Sequence, residues 1–361
     1  MDAIRHHSFG PPEVLTLEQV PDPVPGPGQV LVDAVAHGVH LLDTSLRRGE
    51  AGPPLPLPHL PTIPGREIAG TVAGVGPGVD PAWAGRRVAA HLGAVPDGGG
   101  YARRVRVAAE NLRVLPDGPD GPDGPQLDPA DAIAMIGTGR MAVYTLGIAA
   151  VTAADVVVVT GAAGGLGTLF VQEALHDAAR VVALAGGAAK LQAIRDLVPA
   201  NRSGTDRLAL VDYSAPGWLQ TARAALGPSP ATLVLDGVGG ELGTAATTLL
   251  DAAGTTNNTT NASAHGATGG RLVAYGWASG APNRYTVWAD AEQIESPIEV
   301  RYAVGPDAPP MGDQRPYQER ALALAASGHW RVATHRVPFA EAARAHRELE
   351  ERRTTGKVVL V

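Results

Sequence analysis

"VVVVTGAAGGLGTLFVQEA", Val156 to Ala174, sets a β-branched run against an amphipathic one, with only small residues at the join. Val156–Thr160 read as a buried strand. From Gly165 onward, Leu166, Leu169, Phe170 and Ala174 recur at helical spacing. Ala162, Gly164 and Gly167 keep the spacing of G-x-G-x-x-G, with alanine in the first place. In such a turn the first small residue lets the chain reverse and the second lets backbone approach a pyrophosphate. The third lets the helix pack on the strand. The helix N-terminus then presents N–H groups to the phosphates. Tight strand-to-helix turns occur in any parallel sheet, so the weight rests on what surrounds this one.

The surroundings repeat the alternation. Strand candidates at 181–185, 208–211, 232–236 and 271–275 are separated by helical segments, which predicts a doubly wound parallel sheet. Upstream, residues 1–115 are rich in Val, Gly and Pro. "QVLVDAVAHGV", "EIAGTVAGVG", "GRRVAAHLG" and "YARRVRVAAENLRVL" read as short strands between turns. "PDGPDGPDGPQLDP", 116–129, is a repeated turn former. "PADAIAMIGTGRMAVYTLGIAA", 129–150, is predicted to be helical. Residues 252–270 are small and polar and read as a loop inserted before "RLVAYG". Helices are expected at 317–327 and around 340–353, followed by a closing strand "KVVLV" that is expected to return to the first domain.

Composition narrows the function. The 361 residues carry 29 Lys+Arg against 36 Asp+Glu, a net charge of −7, without the basic run of a nucleic-acid binder. No stretch reads as long and apolar enough to span a membrane. "MDAIRHHSFG" lacks an apolar signal core, which predicts a cytoplasmic protein, with His6-His7 an exposed pair on the first strand. The absence of cysteine excludes disulfides and thiolate-ligated zinc. Lysine occurs only at 190 and 357.

One of those lysines bears on the cofactor. A site for NAD usually ends its second strand with Asp or Glu, which bonds the ribose hydroxyls. Here that end is Ala185-Gly186-Gly187, and Lys190 follows within one turn. Loss of the carboxylate and gain of a cation suit a 2′-phosphate, so NADPH is expected rather than NADH. "DGVGGELG" (236–243) and "AYGWASG" (274–280) place further glycines at strand ends, where ligands bind in open α/β sheets.

In this order the pieces resemble the medium-chain dehydrogenase/reductase superfamily, in its zinc-independent quinone oxidoreductase branch. "FGPPEVLTLEQVPDPVPGPGQVLVDAVAHGVHLLDTSLRRG" is similar to the family's opening, and "PTIPGREIAGTVAGVG" to its P-G-x-E-x-A-G segment. "VVVVTGAAGGLG" resembles its dinucleotide loop and "AHRELEERRTTGKVVLV" its closing stretch. The resemblance implies a GroES-like β-rich catalytic domain, 1–127 with 297–361, and a Rossmann NADPH-binding domain, 128–296. It also implies an active cleft at their junction and a homodimer formed through the Rossmann domains. By motif it assigns Ala162, Gly164, Gly165, Leu166 and Gly167 to the pyrophosphate, and Lys190, with Gly186 before it, and Tyr213 to the 2′-phosphate. Gly237 and Val238 fall to the ribose turn, Tyr275 and Gly276 to the cofactor's flank, and Arg352 to the adenosine phosphate.

Zinc-dependent relatives carry cysteine where His40 stands, and histidine in a G-H-E segment that here reads Gly65-Arg66-Glu67. Arginine stays protonated and cannot ligate zinc, so no metal is expected, although His40, Glu67 and His91 are candidate donors. The remaining chemistry is hydride transfer to a flat quinone or enone, with a hydrogen-bond donor to stabilise developing charge. His40 and Asp43 match the family stretch lining the nicotinamide side, and Arg47 lies one helical turn beyond, where it is spaced to pair with Asp43. His91, Met141 and Trp277 are candidate pocket residues, Met141 standing where relatives have threonine. Three readings stay open: an NADPH-dependent quinone or enone reductase, a dedicated tailoring reductase for a polyketide-like substrate on the same fold, and a non-catalytic NADPH-binding sensor or structural protein.

Overall fold

The computed structural model describes residues 1–50, 56–93, 99–118, 121, 126–198, 205–251, 270–286, 298–305 and 307–361. All of the 252–270 loop but Gly270 lies outside them. Two compact units form, Met1–Arg140 with Arg315–Val361, and Met141–Gln314.

The first unit opens with an antiparallel pair, β1 (Asp2–Arg5) and β2 (Thr16–Gln19). The long β3 (Gln29–Gly38) runs into α1 (Leu41–Arg48). After it come β4 (Glu67–Val75), β5 (Arg87–His91), β6 (Arg104–Ala108) and β7 (Leu112–Val114). Strand β3 alternates buried and outward residues and pairs antiparallel with both β4 and β6. The apolar stretch from 129 is two helices joined by a π turn rather than one helix: α2 (Pro129–Ala134), the turn Met135–Gly139, and α3 (Arg140–Ala149). Together Pro129–Ala149 is long and apolar enough, by length and composition alone, to cross a membrane, which corrects the expectation that no stretch qualifies. Of its apolar window, 61% is buried in protein, as in the core helix of a globular unit.

The second unit holds a six-stranded parallel sheet: β8 (Val156–Val159), β9 (Arg180–Ala185), β10 (Leu208–Asp212), β11 (Leu233–Asp236), β12 (Arg271–Ala274) and β13 (Glu299–Tyr302). Between them lie α4 (Gly165–Asp177), α5 (Ala188–Leu197), α6 (Trp218–Leu226) and α7 (Gly240–Thr247). The spatial order β10-β9-β8-β11-β12-β13 is that of a Rossmann sheet, with the order reversing between β8 and β11. The four valines of β8 are all buried, as a strand covered by helices on both faces requires. Phe170 of α4 is fully buried and meets the Tyr275 ring edge to face, centroids 4.8 Å apart.

The chain then returns to the first unit through α8 (Arg315–Ala326), β14 (Thr334–Val337), α9 (Ala342–Glu350) and β15 (Lys357–Leu360). The closing strand joins the first sheet, with Val359 opposite Gly38 and Leu360 opposite His37. His6, read as exposed, is buried, and only His7 faces solvent, bonded to Glu18 at 2.7 Å.

Two further histidines are sealed in this unit. His37 Nδ1 bonds Gly100 O at 2.7 Å, and His346 Nε2 bonds the Tyr101 hydroxyl at 3.1 Å. Burial pushes each imidazole down to about 3. Unfolded histidine titrates near pH 6.5, so between those limits the unfolded chain binds more protons. Stability is therefore full above about pH 6.5 and is lost as pH falls toward 3. Urea titrations across pH should show this decline, and His37→Asn with His346→Gln should flatten it. Phe170→Ala should cost about 3–5 kcal/mol in the same assay, as loss of a large buried ring does.

Candidate active site and cofactor-binding residues

In the parallel-sheet unit the candidate cofactor residues gather at the C-terminal strand ends. Gly161 adopts φ +58° after β8, and a Cβ added at Gly167 would overlap Gly161 O and Ala162. That contact is the close helix–strand approach expected of the third small residue. No side chain caps α4 at Gly164, so the first-turn amides of Gly165, Leu166 and Gly167 are open to an anion. At the end of β9 the Tyr213 ring lies over Gly186, where a Cβ would meet it at 3.0 Å. Lys190 sits in the first turn of α5. The nearest carboxylate in this loop, Asp212, is engaged by the amides of Gly187 and Ser214, each at 2.9 Å.

Sequence reading missed the residue that builds the next turn. Asp236, buried at the end of β11, accepts from Thr160 Oγ1 (2.7 Å) and from the amides of Val238 (3.0 Å) and Gly239 (3.1 Å). Asn283 Nδ2 donates to its other oxygen at 3.0 Å. The "DGVG" stretch carried the signal, a carboxylate directly before a glycine turn. Gly237 packs under Tyr275, whose hydroxyl donates to Thr160 O at 2.8 Å, so that ring is a buried support of the turn. Gly276 approaches Gly237 O, and Trp277 lies beside Gly239. Met141 is in the first turn of α3, and Arg352 takes φ +57° after α9, in the other unit. An orphaned helix terminus, a lysine and a tyrosine-covered glycine at adjacent strand ends fit a phosphorylated dinucleotide.

In the first unit a second constellation surrounds Glu67. This carboxylate opens β4 and is completely buried. It meets His40 Nε2 at 2.7 Å and Lys357 Nζ at 3.0 Å, and the two nitrogens are 2.8 Å apart. Two glycines make room: a Cβ at Gly38 of β3 or Gly137 of the π turn would overlap the carboxylate oxygens. Burial alone would push the Glu67 carboxyl up, but His40 and Lys357 beside it hold it well below the usual carboxylate range. His91 stands opposite Glu67 in the β4–β5 register and accepts from the Gly93 amide at 3.0 Å. Burial pushes its imidazole down to about 4.

His40 is the N-cap of α1, its amide donating to Asp43 Oδ2 at 2.9 Å. Asp43 also pairs with Arg66 at 3.3 Å. Arg47 does not pair with Asp43, as its spacing had suggested. It is buried and reaches Glu350 of α9 at 2.6 Å. The G-R-E segment thus uses Arg66 to hold the start of α1. The cation shared by His40 and Glu67 is the Lys357 ammonium, a donor set unlike a zinc site, which needs three ligand atoms turned to one point. Among the described residues no three His, Cys, Asp or Glu side chains converge in that way.

The fold, an antiparallel sheet unit and a Rossmann-type parallel sheet unit, is that of two-unit dinucleotide-dependent oxidoreductases. The alcohol dehydrogenase GroES-like domain pattern matches residues 26–117, and the zinc-binding dehydrogenase pattern matches 204–360. The chain is 28% identical to a 2-haloacrylate reductase from Burkholderia sp, over 98% of this chain and 97% of that one. It is also 28% identical to a quinone oxidoreductase from Pseudomonas aeruginosa, over 99% and 98%. A mycobacterial structure in complex with NADPH superposes with TM-score 0.71 at 28% identity, covering both chains fully. The chain belongs to the medium-chain dehydrogenase/reductase superfamily, in its quinone oxidoreductase-like branch.

Breaking a buried ion pair by removing one partner leaves an uncompensated charge, at about 3–5 kcal/mol. Glu67→Ala should lose stability by that amount in urea denaturation, because Lys357 is only 5% exposed and cannot turn to water.

Proposed function

We propose that this protein is an NADPH-dependent reductase that delivers hydride to a quinone or α,β-unsaturated carbonyl compound without a metal. The observation that carries the cofactor choice is the β9 end, where Gly186, Lys190 and the Tyr213 ring stand in place of a ribose-binding acid. The full-length likeness to a quinone oxidoreductase and a 2-haloacrylate reductase supports the acceptor class, and the NADPH-bound mycobacterial neighbour supports the cofactor.

NADPH, when bound, supplies the hydride. The protein's residues do the rest. The α4 amides and Lys190 would hold the phosphates, and the turn organised by Asp236 would offer Gly237 and Val238 to the ribose. Met141 and Trp277 offer apolar surface to a flat ring. His40 is the hydrogen-bond donor to the charge that develops on the acceptor oxygen, and Asp43 positions it by fixing the start of α1. His91, neutral above about pH 4, adds a polar wall. A cytoplasmic homodimer belongs to the same proposal and rests on the family resemblance.

The test is oxidation of NADPH, and separately NADH, against ortho-quinones, para-quinones and cyclic enones with a chelator present. Turnover should occur with NADPH and survive chelation. Lys190→Ala should weaken NADPH binding about tenfold, a loss near 1.4 kcal/mol, and leave NADH binding within about twofold. An unchanged preference would remove Lys190 from the site.

A further inference from the structure

We propose that Asp212 determines cofactor specificity as a positioning residue: it ties the loops after β9 and β10 into one frame, which sets Gly186, Lys190 and Tyr213 for a 2′-phosphate. This rests on the NADPH reading above and adds to it a residue from the neighbouring strand.

Strands β9 and β10 run parallel, with Asp212 level with Ala185. Both strands end at that pair, one leading into Gly186-Gly187 and α5, the other into Tyr213-Ser214. A single carboxylate oxygen joins the two loops. Asp212 Oδ1 accepts from the Gly187 amide at 2.9 Å. From its own loop it accepts from the Ser214 amide at 2.9 Å and from the Ser214 hydroxyl at 2.5 Å. The Tyr213 amide adds a second tie, donating to Ala185 O at 3.1 Å. Its ring lies over Gly186, so close that a Cβ there would meet it at 3.0 Å.

The bond to Gly187 reaches Lys190 through backbone. Gly187 takes φ +88°, in the left-handed region that favours glycine, and it is the N-cap of α5. With no side chain, it cannot cap the helix as Ser, Thr, Asp or Asn would. Its carbonyl accepts from the Lys190 amide at 3.2 Å and the Leu191 amide at 3.3 Å. A carboxylate that holds the Gly187 amide therefore holds the turn from which the Lys190 side chain departs. Asp212 acts through that turn and through Tyr213, its neighbour in the chain.

A carboxylate is an unfavourable neighbour for a phosphate, which it repels. The direction of its bonds accounts for its presence. All three of these bonds converge on one oxygen and come from the two loops. They hold the carboxyl below the usual carboxylate range, the Ser214 hydroxyl contributing most. An NAD site ends its second strand with an acid that accepts from the ribose hydroxyls. Here the acid ends the next strand, and its bonding oxygen is taken up by the loops. The position calls for an oxygen acceptor rather than a charge, so a neutral amide oxygen would serve.

The test separates framing from charge. Asp212→Asn keeps an oxygen for the three donors and removes the charge; Asp212→Ala removes both. Melting curves report the fold of each variant, and fluorescence titration gives the affinity of each for NADPH and for NADH. Asp212→Ala should weaken NADPH binding at least fivefold and leave NADH binding within twofold. Asp212→Asn should bind NADPH at least half as tightly as the wild type. With no cofactor present, amide hydrogen exchange at Gly187 should be slow in the wild type and in Asp212→Asn, and at least tenfold faster in Asp212→Ala. Unchanged or tighter NADPH binding by Asp212→Ala would overturn the proposal. So would parallel losses for both cofactors, equal losses in the two variants, or a Gly187 exchange rate that Asp212→Ala does not alter. A wild type that binds NADH as tightly as NADPH would instead overturn the cofactor reading itself, and the proposal with it.

Discussion

A carboxylate with no access to water dominates the first unit. Glu67 is completely buried, and a lone charge there would cost several kcal/mol. Everything within reach answers to it. His40 and Lys357 bring nitrogens to it, β3 supplies Gly38, and the helix after α2 relaxes into a π turn at Gly137. A π turn is rare, and it occurs here at the point where a Cβ would collide with the carboxylate, in keeping with the tendency of such turns to mark functional sites. The return of β15 alongside β3 is what delivers Lys357. The closing strand thus contributes to the Glu67 cluster as well as to the sheet.

A second carboxylate governs the parallel sheet by a different route. Asp236 is also buried, but it is satisfied by hydrogen bonds: a threonine hydroxyl, two turn amides and an asparagine. It fixes backbone rather than holding a cation. The two units therefore use the same residue type for separate ends. One shapes a glycine turn at a strand end, and the other holds a histidine and a lysine side chain together. Asp43 is intermediate, since it caps α1 through the His40 amide and pairs with Arg66.

Much of this was legible from spacing. The five strand candidates from 156 to 275 match β8 to β12 within a residue or so, because buried parallel strands are continuous apolar runs with glycines after them. The return of the final strand was legible too. The π turn was not, since Met135-Ile136-Gly137-Thr138-Gly139 has the apolar periodicity of the helix around it. Arg47 misled for a related reason. Its spacing from Asp43 satisfies a local rule, but a buried guanidinium is claimed by whichever carboxylate the fold brings to it, and that is Glu350, some three hundred residues away. His6 was likewise misread, because no local pattern tells which of two adjacent histidines a sheet will cover.

The sequence by itself determined the Rossmann unit. A buried strand, a small-residue turn and a helix are local features, and local sterics decide how they follow one another. It also removed the thiolate ligands and one histidine ligand of a zinc site, through the absence of cysteine and the arginine at 66. Only the tertiary structure decided what stands in that place. His40, Glu67 and Lys357 are unrelated by any sequence period. They become a unit because a buried carboxylate must be neutralised by whatever cation the fold can bring within about 3 Å.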